Sequence, residues 1–395
     1  MLESPPSSAD TTSPAPGGGG MRRVLTWLRN WPYTFIIVFS LASAATAIIV
    51  AARLDRPITD PEGFLGPAYI RLPLIGLGML AADVLPRAFA RAYRAVRASR
   101  DYTGVTGHLA AAFWSCARVL PDARHVLREH WSWKRVGYAA AGMVSFYTCY
   151  VAYRNLKSFL PLITDRNYDS QLDQMDAWLS FGSRPSLLLH DILGTDIAAH
   201  ILAFWYISYL PLNVLVLGAF VAWSKDLGRG AWAATALSLN WMIGVASYYA
   251  LPTLGPGIAY PSYIWELEDN SASTLQHSLT MNRNEFVSDL NDPSLSQGVA
   301  GFASLHVSVV FTVALILHQS GMAKWICNIA WVYLIGTILA TLYFGWHYIL
   351  DDIGGAAIAY LAVWIGAKVT RQPSRRERLR ARAEAEAATD DPARE

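Results

Sequence analysis

The sequence predicts an all-α, polytopic membrane helix bundle, on three observations. Hydrophobic residues make up 53% of the 395 and charged residues only 16%, where soluble domains carry closer to a quarter charged. Apolar stretches of about 20 residues, the length that spans a bilayer, recur along the chain. Lysine and arginine gather in alternate connections between them, as the positive-inside rule requires. The 15 tryptophans and 19 tyrosines suit rings placed at a membrane–water interface. A formal net charge of +2 argues against nucleic acid as a partner.

Eight stretches qualify as spans, at 33–53, 68–89, 136–154, 198–223, 231–251, 301–319, 324–344 and 347–369. The second is the weakest, because Arg71 and Asp83 interrupt it. The count is tested by charge. Arg22, Arg23 and Arg29 precede the first span. Nine basic residues from Arg91 to Arg135 follow the second, Lys225 and Arg229 the fourth, Lys324 the sixth, and Arg371 to Arg382 the eighth. With eight spans all five segments fall on one side, read as the cytoplasm, and both termini lie there. In a bacterial host the membrane is the plasma membrane.

The chain divides into a disordered tail at 1–20, two extra spans with a basic cytoplasmic loop at 21–135, a six-helix catalytic core at 136–370, and a charged cytoplasmic tail at 371–395. The first twenty residues are Pro-, Ser-, Thr- and Gly-rich and bury too little apolar surface to order. The 91–135 loop is amphipathic and basic, fit for one or two interfacial helices at anionic head groups. On the opposite side, 155–197 places Asp169, Asp173 and Asp176 on one helical face and Leu172, Met175 and Leu179 on the other. That pattern reads as a helix lying on the membrane surface or capping the bundle, with its acids in water. Residues 252–300 read as a polar loop rich in Asn, Asp, Ser and Pro. Cys116, Cys149 and Cys327 have no metal spacing and read as small apolar residues.

Ionisable groups at the edges of spans are costly in lipid, so they mark candidate chemistry. His306 sits in Gly301-Phe302-Ala303-Ser304-Leu305-His306 at the outer end of the sixth span. His347 opens the eighth, and Asp351 follows it by four residues, one turn away on the same helical face. The carboxylate can hold one imidazole nitrogen and leave the other free to attack. The topology puts His306 and His347 at one depth on the outer side. Two histidines, one oriented by a carboxylate, suit displacement at phosphorus, with one as nucleophile and the other as general acid.

Ser-Leu-His at 304–306 followed by His347-Tyr348-Ile349-Leu350-Asp351-Asp352-Ile353-Gly354-Gly355 resembles the type 2 phosphatidic acid phosphatase superfamily. Asn155-Leu156-Lys157 and Ala250-Leu251-Pro252-Thr253-Leu254-Gly255-Pro256 extend the resemblance towards its inositol phosphorylceramide synthase-like (inositolphosphotransferase) branch. The resemblance covers about 140–370. It implies His347 as nucleophile, Asp351 as its orienting carboxylate, His306 as general acid, and no cofactor or metal. It further implies lipid substrates: a phospho-alcohol head group, such as inositol phosphate, moved between lipids, or a phosphatase using water. The phosphatase branch has Lys-x6-Arg-Pro, yet Lys157 here is followed by Thr164 and Asp165. Its Ser-Arg before the second histidine is replaced by Ala340 and Thr341. Two phosphate-clamping arginines are thus absent, as in the synthase-like branch, which favours transfer. Arg154, Lys157 and Arg283 are the candidates for charge at the phosphate, although Arg154 and Lys157 could also snorkel to head groups.

Other residues carry plainer expectations. Ser304 is a helix cap or a phosphate-contacting hydroxyl. Asp352 points to another face as a helix-terminal charge, and Asn240 makes an interhelical hydrogen bond. A serine protease using Ser304 and His347 would leave His306 idle. A proton-relay transporter would place its ionisable groups near mid-membrane. A metal bound by His306, His347 and Asp351 is chemically possible.

Overall fold

A computed structural model describes residues 31–99, 104–224, 226–374, 376–380 and 383–384. The disordered tail expected at 1–20 lies outside the described residues, as do Arg22, Arg23, Arg29, Arg100, Lys225, Arg375 and Arg382. Among the described residues the chain is helical, with no strands.

Thirteen helices of nine residues or more organise the described residues. The first is α1 (Thr34–Arg53), and α2 (Ala68–Ser99) runs ten residues beyond its expected end. The basic loop holds α3 (Gly104–Cys116) and α4 (Val119–His130). Next come α5 (Trp133–Ser158), α6 (Asp169–Leu179), α7 (Pro185–Leu193) and α8 (Ile197–Gly218). They are followed by α9 (Leu227–Ala250), α10 (Ser271–Ser288), α11 (Leu305–Gln319), α12 (Lys324–Tyr343) and α13 (Ile349–Val369). Local sequence sets several starts. Ser132, Asp226, Asn270 and Ser304 each accept a backbone N–H of the first turn of α5, α9, α10 and α11, meeting donors a helix cannot satisfy itself.

All eight expected spans are helical, but fewer satisfy length and apolarity together. Four do so alone: α1, α2, α12 and α13. A fifth is α8 with its π-helical continuation Ala219–Trp223, bent by 44° at Pro211, where the ring removes a backbone hydrogen bond. The physical reason is plain in α9. It is buried from Gly230 to Trp241, so it presents little surface to lipid and carries small and polar residues instead. Asn240 on α9 is fully buried; it donates to Thr312 Oγ1 on α11 at 2.9 Å and accepts from Ser308, the interhelical bond expected. The apolar faces turned outward are on the outer helices: Val38, Leu41 and Ile48 on α1, Ile329, Val332 and Ile335 on α12, Ile353 and Trp364 on α13. Exposed apolar rows of this kind are what a lipid-facing bundle requires.

Helix α9 packs against α5, α11 and α13, and α1 packs on α5. The core between them is aromatic, with Phe146, Tyr153, Trp241 and Tyr248 in mutual contact. The connections 54–67, 159–196, 251–304 and 344–348 meet at one end of the bundle. Thr59 N–H donates to Asn155 Oδ1 at 2.9 Å, Tyr168 N–H to Pro252 O at 2.9 Å, and a ring nitrogen of His190 meets Tyr343 O at 2.9 Å. The described basic residues of 91–135 lie at the other end. There Trp131 Nε1 donates to Asp83 at 2.9 Å and Arg135 donates to Ala222 O at 2.6 Å.

Two expectations are corrected. The acids of α6 do not face water: Asp169, Asp173 and Asp176 are 2%, 7% and 1% exposed, while Met175 and Leu179 on the opposite face are exposed. The acids are inside because each finds donors there, and an apolar core position would offer none. Residues 252–300 are also not a plain polar loop. Helix α10, started by an Asn270–Ser273 capping box, packs along α8.

Candidate active site

The two signatures meet at the loop end of the bundle. Ser304 N–H donates to Asp351 O at 2.9 Å, so the start of α11 is tied directly to the first turn of α13. Gly355 lies against the same loop: a Cβ there would stand 2.3 Å from Ser304 O, a separation no side chain tolerates. The run before α11 is held by Thr253 and Ser247. Gly301 N–H donates to Thr253 O at 2.8 Å, Phe302 N–H to Thr253 Oγ1 at 2.8 Å, and Ala303 N–H to Ser247 Oγ at 2.9 Å. These bonds fix the backbone just ahead of His306.

His347 Nδ1 lies 3.2 Å from Asp351 Oδ2, and the same oxygen accepts Tyr348 N–H at 3.0 Å. With a carboxylate at Nδ1, that nitrogen carries the proton and Nε2 carries the lone pair. The His306 and His347 rings are 5.9 Å apart between centroids. His306 is stacked on Tyr206 at 4.5 Å and lies 4.3 Å from the Tyr209 ring, which holds its plane.

Both histidines line one cavity of about 360 Å³, together with Arg154 and Lys157 from the last turns of α5. Tyr153 and Tyr248 form part of its wall, and Leu275 and Leu279 of α10 close one side. Lys157 is 9% exposed, its Nζ 5.0 Å from the Tyr248 ring centre and 5.9 Å from that of Tyr153. Among the described residues neither Arg154 nor Lys157 forms a salt bridge. Two cations facing one cavity without a carboxylate partner suit an anionic ligand. The structure therefore brings His306, His347, Asp351, Arg154 and Lys157 together.

The other two candidates lie elsewhere. Ser304 is fully buried, caps α11 through Val307 N–H, and does not line the cavity. Arg283 on α10 is also outside the lining, where burial lowers its pKa and Asp169 opposes that. Asp352 is buried rather than a surface charge, 7% exposed, and accepts from Thr341 Oγ1 at 3.2 Å. No group of three His, Cys, Asp or Glu side chains is placed to hold a metal ion among the described residues.

A layer behind the histidines was not anticipated. Asp169 accepts Tyr348 Oη–H at 2.9 Å and the N–H groups of Leu254 and Gly255. Asp176 accepts Ile349 N–H at 3.0 Å, at the first residue of α13. Asp173 is held by Arg184 through two 2.6 Å bonds, and that contact raises the arginine's pKa. Burial pushes the Asp176 carboxyl up to about 7, with the charges of Asp351 and Asp173 adding to it. The spacing of the three acids was visible; which way their face turned was not.

Residues 170–365 match the family model described as the PAP2 superfamily. This segment resembles the PAP2 superfamily. No curated protein and no solved structure gave a match. PAP2 superfamily members are phosphatases or phosphotransferases, and the match supports an enzyme acting on phosphate esters. The PAP2 segment contains His306, His347 and Asp351; Arg154 and Lys157 come from the helix that precedes it.

Proposed function

We propose that the protein is a lipid phosphotransferase of the inositol phosphorylceramide synthase-like kind, working at the extracytoplasmic face of the membrane. The observation that carries this reading is the shared cavity: two histidines 5.9 Å apart, one bound to a buried carboxylate, with Arg154 and Lys157 opposite them.

His347 Nε2 attacks the phosphorus of a lipid-linked phosphodiester. The N–P bond forms as the P–O bond to the donor diacylglycerol breaks. His306, protonated, gives its proton to the leaving oxygen. Asp351 holds Nδ1–H and balances the positive charge that the phosphohistidine carries. Arg154 and Lys157 neutralise the phosphoryl oxygens. In the second half, the hydroxyl of an acceptor lipid attacks phosphorus, His306 takes its proton, and the N–P bond breaks. An aromatic wall around the phosphate supports transfer to a lipid alcohol, because it limits water at the intermediate. So does the absence of a second and third arginine clamp. The basic end of the bundle, opposite the cavity, supports cytoplasmic termini.

The test is an assay of full-length protein in detergent with labelled phosphatidylinositol, a panel of lipid alcohols and, separately, phosphatidic acid, with His347→Ala alongside. A new phosphoinositol lipid formed only by the wild type is the expected result. Phosphate released from phosphatidic acid without any transfer product would make the chain a hydrolase. Equal turnover by the variant would remove His347 from the nucleophile's role.

A further inference from the structure

A second cavity of about 360 Å³ lies beside the first, between α2, α5 and α8. The two are adjacent: Glu62, Tyr150, Tyr209 and Trp241 line both. Most polar groups of the second cavity are gathered at its upper end and paired there, while Trp241 Nε1 on its wall has no hydrogen-bond partner among the described residues. Arg71 binds Asp60 at 2.9 Å and also donates to Glu62 O and Tyr147 Oη; Tyr150 Oη–H donates to Glu62 Oε1 at 2.9 Å. Below that end the wall is hydrocarbon and thioether, with Leu72, Ile75 and Met79 of α2 facing Met143 and Phe146 of α5 and Leu217 of α8; Asn213 is the polar exception. On α2 the lining runs from Arg71 to Met79, a descent of about 12 Å at the helical rise per residue.

From this we infer that the second cavity binds the hydrocarbon tail of the phosphate-bearing lipid while its phosphate sits between His306 and His347. The inference rests on the reading of the first cavity as a lipid-phosphate site. Three features support it. The two cavities adjoin along shared walls, and one of them holds the histidines. An ionic ligand would find no unpaired charge below Arg71, whereas burying a chain there gains about 0.8 kcal/mol per CH₂. The volume lies in the range of small-ligand sites, about 300–1,000 Å³. The helices α2 and α5 both precede the PAP2 segment at 170–365, so this compartment gives the otherwise unassigned second helix a task.

The test uses full-length protein in detergent micelles and a phosphatidic acid bearing a diazirine near the end of one acyl chain. After irradiation and digestion, mass spectrometry is expected to find the label on Leu72, Ile75, Met79 or Met143. Excess long-chain phosphatidic acid competes it away, and an equal amount of phosphatidylcholine does not. Ile75→Trp, and from the facing helix Val214→Trp, abolish that label. They raise KM for a long-chain substrate about tenfold, equivalent to about 1.4 kcal/mol, and leave turnover of a short-chain analogue of the same substrate within about twofold. A label confined to the outward-facing Leu74 and Leu77, or one that phosphatidylcholine removes equally, would overturn the assignment in the wild type alone. An equal loss on both substrates would do so in the variants. The His347→Ala protein keeps the label. Turnover without labelling therefore sinks the tail site only, and labelling without turnover of any phosphate ester sinks only the catalytic reading.

Discussion

Replacing Asp351 with asparagine separates the geometry of the histidine pair from its charge. Asp351 Oδ2 accepts both His347 Nδ1–H and Tyr348 N–H, whereas Oδ1 is buried without a hydrogen-bond partner. An asparagine has two ways to sit there. With its NH₂ at the Oδ2 position it would meet the Tyr348 N–H donor and force His347 into the wrong tautomer, so this orientation is disfavoured. With its carbonyl oxygen at Oδ2 both bonds survive as neutral ones, roughly half as strong as charge-assisted bonds. The difference is about 1–2 kcal/mol at the transition state, a fall in kcat of about 5- to 30-fold. The NH₂ then occupies the unpartnered Oδ1 position, costing about 1–3 kcal/mol of stability. Asp351→Ala, which leaves Tyr348 N–H and His347 Nδ1–H both unmet, falls further, by about 10³-fold. Initial rates on a lipid phosphate ester, with thermal unfolding in the same detergent, measure both effects. An asparagine variant with unchanged kcat would show that the carboxylate does not orient His347. One as inactive as His347→Ala would show that the amide adopts the other orientation, and that Tyr348 N–H does not control it.

Four further outcomes are expected. His306→Ala lowers kcat by about 10²–10⁴-fold, and an ester with a better leaving group recovers much of the loss; equal losses on both esters would exclude His306 as the acid. Lys157→Gln raises KM more than it lowers kcat, because it removes charge from the phosphate pocket while leaving the histidine–carboxylate contact in place; steady-state kinetics on one lipid separates the two. The buried Asp176 carboxyl titrates near 7 when folded, against about 3.9 when unfolded. Between these values the folded state holds the extra proton, so stability falls as pH rises, by up to about 1.4 kcal/mol per unit. Thermal unfolding from pH 4.5 to 7 should show that slope, and Asp176→Asn should flatten it. Gly355→Ala drives a Cβ into Ser304 O and costs about 1–3 kcal/mol; an unaltered melting temperature would mean that α13 shifts freely.

Much of the molecule was legible in the sequence because helical period and span length dominate a membrane chain. The eight apolar stretches became helices, and His347 with Asp351 followed from a spacing of four on one helix. Pairing them with His306 needed only alternation of sides. What sequence could not carry was orientation. Asp169, Asp173 and Asp176 define a polar face, and a polar face turns outward unless donors wait inside; those donors are Arg184, one loop away, and Tyr348, Leu254, Gly255 and Ile349, all far away in sequence. Ser304 was ambiguous between cap and ligand for a similar reason, since a first-turn hydroxyl can serve either. Tyr206 and Tyr209, which hold the His306 ring, sit within an apolar span rich in aromatics, and no spacing distinguishes them from lipid-facing neighbours.

The bond from Ser304 N–H to Asp351 O, with Gly355 pressed against Ser304, ties the backbones bearing the two histidines at one point. The separation between the imidazoles is therefore a fixed gauge, set by main chain rather than by adjustable side chains. Such a gauge accepts one size of reacting centre, a tetrahedral phosphorus with its oxygens, and is indifferent to what hangs from it. On the proposed reading, selectivity among lipids comes from walls remote from the reaction, and those walls could be re-cut over generations of descendants without disturbing the gap where bonds change hands.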